Sequence, residues 1–230
     1  MNAVIIGKGI VGQATALTLK DNINIQWYDP PKKLSADFSI ADVVFICCPS
    51  HEVSYYVSKL YKYPRVYVRS TIKPEIVKNT EMAVYPEFLT ESRWKKDALN
   101  PLCFILGGSE EQLKALKTFS KLSFKNEYLT DNKTAALMKI VTNAYTSSKI
   151  MFFNHVYDVC LNLGMNYEEL RKCITTDPRI HENGTFVPGP DGQLGFGGKC
   201  FPKDTQYLLD LLNNSILKNI IERNNELRNK

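Results

Sequence analysis

The sequence has no CxxC pair, no run of basic residues and no apolar stretch of membrane-spanning length. Each absence removes a class of protein. The six cysteines (47, 48, 103, 160, 173 and 200) show no metal-ligand spacing, and the three histidines (51, 155 and 181) are scattered. We therefore expect no metal site, no disulfide scaffold and a reducing, cytoplasmic setting. Apolar runs stop at strand length, as in Val43–Cys48, whereas a membrane helix needs roughly 20 residues. No membrane span is expected. Residues 1–7 (MNAVIIG) lack a basic start and a cleavage site, so no export signal is expected either. The net charge is +5, without a basic block or a basic–aromatic alternation. That balance suits an anionic small molecule and argues against nucleic acid.

What is present describes an ordinary folded chain. Of 230 residues, 44% are apolar and 23% charged, which excludes disordered, collagen-like and coiled-coil readings. The length fits one large domain or two small ones. Short apolar or β-branched runs predict strands at Asn2–Ile6, Asn24–Tyr28, Asp42–Cys47, Arg65–Arg69, Met82–Tyr85 and Cys103–Leu106. Helical patterns lie between them at Ile10–Leu19, Glu52–Tyr61 and Glu110–Leu122. This alternation predicts an α/β, doubly wound parallel sheet over residues 1–130.

From Asp131 to Leu163 there is neither Pro nor Gly. Ala135, Met138, Val141, Tyr145, Ser148, Phe152, Val156, Val159 and Leu163 recur at helical spacing, with Thr130 or Asp131 as cap and Gly164 as stop. A helix of this length runs about 50 Å, too long for a connector inside one sheet. We expect it to be the spine of a helical domain over residues 131–230. Tyr167–Thr175, Asp204–Leu212 and Ile216–Arg228 predict further helices, and Asp177–Gly198 a long functional loop. His155 is expected to pack within the long helix.

Three local patterns carry chemistry. Gly7, Gly9 and Gly12 form a GxGxxG between the first strand and the first helix, and Asp29 ends the next strand. Gly7 permits the turn, Gly9 lets backbone approach a pyrophosphate, and Gly12 allows close helix–strand packing. Asp29 is placed to accept ribose hydroxyls, which favours NAD over NADP, although Lys32 and Lys33 follow closely. Lys139 and Asn143 share a face of the long helix. Lys139 either snorkels to solvent or lines a polar site with Asn143, where an oxyanion could meet a cation and an amide. Glu87 and Glu91 follow a strand end, either as proton-handling carboxylates or as a solvated first helical turn. The densest pattern is residues 195–204 (GFGGKCFPKD): glycines, then Cys200, then a predicted helix start. Loop amides could wrap an anion, and the helix start with Lys199 and Lys203 favours a thiolate nucleophile at Cys200. The other five cysteines are expected in the core.

In this order the motifs resemble the UDP-glucose/GDP-mannose (nucleotide-sugar) 6-dehydrogenase family. The matching pieces are Gly7–Gly12 with Asp29, Ser70 and Thr71 within residues 69–74 (RSTIKP), Pro86-Glu87-Phe88-Leu89, Lys139 with Asn143, Asp177 to Arg179, and residues 195–204. The resemblance covers essentially the whole chain. It implies oxidation of a sugar 6-hydroxymethyl to a carboxylate with two NAD. Cys200 would carry a thiohemiacetal and then a thioester. Lys139 would stabilise oxyanions, Asn143 hold the sugar, Asp204 and Thr71 order water, and Glu87 act as base. Implied cofactor contacts are Gly7, Gly9, Ile10, Val11, Gly12, Asp29, Pro49, Ser50, Thr71 and Glu91. Implied substrate contacts are Phe88, Leu89, Lys139, Asn143, Arg179, Gly195, Phe196, Gly197, Gly198 and Cys200. A homodimer through the long helix is also expected.

Three departures stand out. Only residues 30–41 separate Asp29 from Asp42, so the family's next strand and helix are expected to be reduced or missing. Ser50 stands where the family has Thr. The chain also stops after the helices that follow Cys200, so the family's C-terminal nucleotide-binding domain is expected to be absent. A two-electron hydroxyacid dehydrogenase, or a nucleotide-binding remnant acting with a partner chain, stays open as an alternative.

Overall fold

A computed structural model describes every residue except 62, 64, 78–80, 102, 125, 213, 214 and 230, with 212 and 215 described by backbone alone. The chain divides into two compact units, Met1–Lys139 and Ile140–Lys230, and the division lies inside the long helix rather than at its start.

The first unit is built on one sheet. Its strands are β1 (Asn2–Ile6), β2 (Asn24–Tyr28), β3 (Val43–Ile46), β4 (Val66–Val68), β5 (Ala83–Val84), β6 (Phe104–Gly107) and β7 (Glu127–Thr130), in the order β2-β1-β3-β4-β5-β6-β7. Side-chain alternation feeds two cores. Val4, Ile6, Val44, Ile46, Val66 and Val68 face Val53, Val57 and Leu60 of α2 (Ser50–Leu60). Ala3, Ile5, Phe45 and Tyr67 face Leu113, Leu116 and Phe119 of α4 (Glu110–Phe119), with Val11 and Ala16 of α1 (Ile10–Thr18) packed against them. Helices on both faces leave the strands apolar on both sides, as an α/β sheet requires.

Two features depart from the sequence expectation, and a third agrees with it. First, β5 and β6 pair antiparallel, although the other neighbours are parallel. The segment from β5 to β6 starts and finishes at the same end of the sheet, and the only α-helix among its described residues is α3 (Trp94–Leu99), packed on α1. Periodicity carries no strand direction. Second, β7 and α3 were not anticipated. β7 reads EYLT and is largely exposed at the sheet edge, and α3 is short and charged. Third, the expected shortening after β2 is seen: residues 29–42 make two 3-10 turns, at Pro30–Lys32 and Phe38–Ile40, and β2 is left as an edge strand.

The long helix α5 (Asn132–Leu163) is capped by the Asp131 carboxylate, which accepts from the Lys133 and Thr134 amides at 2.9 and 3.0 Å. It stops at Gly164, whose φ of 65° suits the left-handed end of a helix. Its buried residues include Ala135, Ala136, Ile140, Ala144, Ser147, Met151 and Cys160. The stripe singled out from spacing is instead exposed at Val141, Tyr145, Phe152, Val159 and Leu163, and His155 is exposed rather than packed.

In the second unit, Phe153, Cys160 and Tyr167 form a core with Leu170 and Ile174 of α6 (Tyr167–Ile174) and with Ile180 and Val187 of the following loop. The buried Arg171 holds that loop. It pairs with Glu168 at 2.7 Å and Glu182 at 3.1 Å, with the Phe186 ring 4.2 Å away. Helices α7 (Phe201–Leu212) and α8 (Ser215–Arg228) complete the unit. No described helix is long and apolar enough to cross a membrane.

Candidate functional site

At the end of β1 the chain turns through Gly7, with φ 93°. A side chain there would meet the Cys47 carbonyl oxygen at 2.7 Å. A Cβ on Gly12 would strike the Gly7 carbonyl oxygen and reach Trp27 at 3.3 Å. Gly9 is different: nothing lies within 4 Å of where its Cβ would be. It precedes α1, whose N-terminus has no side-chain cap. Ile10 and Val11 therefore open a helix that lacks a side-chain cap beside a glycine with open space around it, an arrangement suited to an anion.

Asp29 closes β2 beside this turn. Its Oδ2 accepts from the Lys8 amide at 2.7 Å and from the Lys32 ammonium at 3.0 Å, and Lys32 also donates to the Lys8 carbonyl at 2.7 Å. Burial works to raise the Asp29 carboxyl, but the Lys8 amide and Lys32 outweigh it and hold its pKa below the ordinary carboxylate range.

The neighbouring strand ends supply the next residues. Pro49 and Ser50 start α2, and the Pro49 carbonyl accepts from the Glu52 amide at 2.9 Å. Ser70 ties β4 to β3 through its hydroxyl on the Cys48 carbonyl at 2.7 Å, leaving Thr71 half-buried just beyond. After β5, Glu87 is half-buried with both oxygens engaged. Oε2 accepts from the Leu89 amide at 2.7 Å, and Oε1 pairs with the Lys139 ammonium at 3.2 Å. Lys139 also lies 5.3 Å from the Phe88 ring centre. Thus Lys139 does not snorkel; it lines a polar site with Glu87. Glu91 is exposed, at the start of a 3-10 turn, so the two carboxylates sit in different surroundings.

In the second unit, Cys200 immediately precedes α7 and is exposed. Its carbonyl accepts from the Asp204 amide at 2.9 Å, which puts the thiol at the head of a twelve-residue helix. Asp204 is 0% exposed. One oxygen accepts from the Asn143 amide at 2.6 Å and the other pairs with Lys203. Thr205 donates to Ser147 at 2.9 Å. These two buried bonds fix the first turn of α7 on α5.

The glycine loop before Cys200 is not an open anion cradle. The Gly195 amide donates to Asn154 at 2.8 Å and the Phe196 amide to Asn224 at 2.7 Å. Phe196 is buried, and a Cβ on Gly197 would meet the Arg228 guanidinium at 2.7 Å. Gly198 has φ 76° and open space around it. Arg179 lies on the surface and folds back on Asp177 at 3.0 Å.

The cysteines separate by environment. Burial pushes the Cys47 thiol up to about 11 and the Cys48 thiol up to about 12. Cys160 is also buried, Cys103 is half-buried, and Cys173 is exposed rather than in the core. Residues missed from the sequence are Asn154, Asn224 and Arg228, which hold the glycine loop, and Arg69, buried at the end of β4. Only Arg69 left a trace, as a charge closing an apolar strand.

Residues 133–227 match the UDP-glucose/GDP-mannose dehydrogenase family, central domain. The chain is 30% identical over 216 residues to the UDP-glucose 6-dehydrogenase of Rickettsia felis, a match covering 85% of this chain and 46% of that protein. It therefore spans about half the length of the curated relatives it matches. Among solved structures, the UDP-D-ManNAc dehydrogenase of Pyrococcus horikoshii superposes with a TM-score of 0.80 at 19% identity, over 99% of this chain and 69% of that one. The 3-hydroxyisobutyrate dehydrogenase of Mycobacterium tuberculosis gives 0.75 at 16% identity, over 96% and 91%. At those identities the structural likeness speaks for the fold. By sequence, residues 133–227 thus belong to the central domain of the UDP-glucose/GDP-mannose dehydrogenase family, and the match to the curated relative extends that similarity over 85% of the chain.

Proposed function

We propose that this protein oxidises the 6-hydroxymethyl group of a nucleotide sugar to the uronic acid, with two NAD per turnover and Cys200 as the covalent nucleophile. The carrying observation is the head of α7, where Cys200 is exposed and Asp204, one turn on, is fully buried against Asn143. The curated relatives named UDP-glucose 6-dehydrogenase support the substrate class.

The residues at the end of β1 fit a dinucleotide. Gly9 leaves open the space a pyrophosphate would take, Gly12 brings α1 close to the strand end, and Asp29 suits the ribose. Ile10, Val11, Pro49, Ser50, Thr71 and Glu91 would complete that contact. When bound, NAD supplies the hydride acceptor.

The chain's own residues would do the rest. The Cys200 thiolate attacks the C6 aldehyde carbon; a C–S bond forms and the carbonyl electrons move to oxygen. Lys139 stabilises that oxyanion, and Asn143 holds a sugar hydroxyl. Once the thioester has formed, Glu87 takes a proton from water as the water attacks the acyl carbon, and the C–S bond breaks with sulfur leaving as thiolate. Thr71 and Asp204 order that water. Phe88, Leu89, Arg179 and the Gly195–Gly198 loop shape the substrate side. A reducing cytosol keeps such a thiol available. The partner in this reading is a second copy, through the exposed Val141, Tyr145, Phe152, Val159 stripe of α5. On gel filtration the wild type is expected to run as a dimer and Phe152→Glu as a monomer.

The decisive measurement is NADH formed per sugar on UDP-glucose, UDP-N-acetylmannosamine and GDP-mannose. Two NADH per sugar, lost in Cys200→Ser, is the expected outcome. One NADH with turnover indifferent to Cys200→Ala selects the hydroxyacid dehydrogenase reading. Calorimetric NAD binding without turnover selects the remnant.

A further inference from the structure

Arg69 has no part in the reaction above, and its surroundings are unusual. It closes β4, its side chain is 6% exposed, and its guanidinium lies 4.0 Å from the centre of the Tyr85 ring. The buried Nε–H has no acceptor among the described residues. Buried polar groups are nearly always satisfied, and an unpaired buried charge is among the least favourable arrangements in a folded protein.

The same side chain lines a cavity of about 70 Å³ within the first unit, together with Thr18, Glu87, Arg93, Asp97 and Cys103 among others. The other charges in its wall are already matched. Arg93 pairs with Asp97 at 3.2 Å, and Glu87 with Lys139 at 3.2 Å. That leaves Arg69 as the lining charge without a counter-charge among the described residues. One face of its plane is covered by Tyr85, so its N–H edge is the part left to bind. A guanidinium edge matches a planar carboxylate, which accepts two parallel N–H bonds. A volume of 70 Å³ holds about two waters or one very small organic anion, and it does not hold a sugar ring.

We propose that this cavity binds a small carboxylate monoanion, of formate to acetate size, on Arg69. Occupancy neutralises the guanidinium and joins the end of β4 to the α3 segment. The cavity shares Glu87, Phe88 and Leu89 with the proposed sugar site, but its test involves no turnover, so its failure and that of the oxidation are read separately.

The probes are sodium formate and sodium acetate, balanced against sodium chloride at constant ionic strength. Wild type is expected to show saturable broadening of the ¹³C-formate line, and a rise in Tm of roughly 5 °C at a hundredfold the dissociation constant. Arg69→Met loses both responses, and Arg69→Lys, which lacks the fork, keeps a weaker one. If Arg69→Met does not fold, Cys103→Leu serves instead: it fills the cavity with Arg69 in place and should abolish the formate response. No saturable response in wild type makes water the occupant and overturns the proposal. An equal response in Arg69→Met, or in Cys103→Leu, overturns it as well. Sodium glucuronate should give no response; a response equal to that of formate would overturn the size limit and make this part of the sugar site.

Discussion

Gly7–Gly12 and Gly195–Gly198 look alike in composition, and the fold uses them in opposite ways. At the first, Gly9 faces open space and α1 starts without a side-chain cap. At the second, the Gly195 and Phe196 amides are bonded to Asn154 and Asn224, and Arg228 occupies the space beside Gly197. One loop leaves the space beside it open, and the other gives that space to its own chain just before the helix start at Cys200. A glycine-rich stretch therefore says only that something comes close. What comes close is read from where a Cβ would go.

Substitutions can break or sharpen this contrast. The largest effect is expected from Gly12→Ala, because the added carbon runs into backbone, the Gly7 carbonyl, which cannot swing aside. Overpacking of this kind costs about 1–3 kcal/mol, and the upper end is expected in urea unfolding followed by circular dichroism. An unchanged midpoint would remove the close-packing role of Gly12.

Arg228→Ala comes next. It removes bonds to Asp191 at 2.6 Å, to Gln193 at 2.9 Å and to the Gly195 carbonyl at 3.1 Å. A loss of about 1–3 kcal/mol is expected, together with an altered rate of iodoacetamide labelling at Cys200. Cys47 and Cys48 should stay unlabelled in both proteins, since burial holds them as thiols at neutral pH. If Cys200 labels at the same rate, Arg228 does not support the loop that presents it.

Gly9→Ala should leave stability within about 0.5 kcal/mol, because nothing surrounds that position. NAD affinity, measured by calorimetry, should fall about tenfold, equivalent to 1.4 kcal/mol. Unaltered NAD binding would mean that the open space beside Gly9 is not where the dinucleotide comes close.

The smallest effect concerns pH. Asp29 has a native pKa below its ordinary value near 4, so the unfolded chain takes up the proton at the higher pH. Its contribution to stability is full above the ordinary value and is lost as pH falls through the lowered one. Asp29→Asn should therefore be less stable than wild type at pH 7, with the gap closing in acid. A gap that widens in acid would reverse the assignment.

Legibility in the sequence followed burial. β1 has the bounds its composition predicts, because a strand covered on both faces must be apolar or β-branched along nearly its whole length. The ends of α5 were readable because Asp131 and Gly164 act through local backbone bonds. β7 was not, since an exposed edge strand has no apolar signature. The buried face of α5 was not either. Val141, Tyr145 and Phe152 are apolar at helical spacing yet exposed, while Asn143, Ser147 and Asn154 are buried because Asp204, Thr205 and Gly195 meet them with hydrogen bonds. Periodicity ranks faces by hydrophobicity and is blind to a polar face that finds partners.

The amino-acid order alone determined the strand–helix alternation, the glycine turn at Gly7, the caps of α5 and the residue types gathered around Cys200, because each depends on neighbours a few positions away. Only the tertiary structure decided that Glu87 and Lys139 form an ion pair, that Asp204 is sealed against Asn143, and that the Arg69 Nε–H is buried without an acceptor among the described residues. Those outcomes depend on which distant groups arrive to satisfy a charge once water is gone, and nothing in the local chain fixes that.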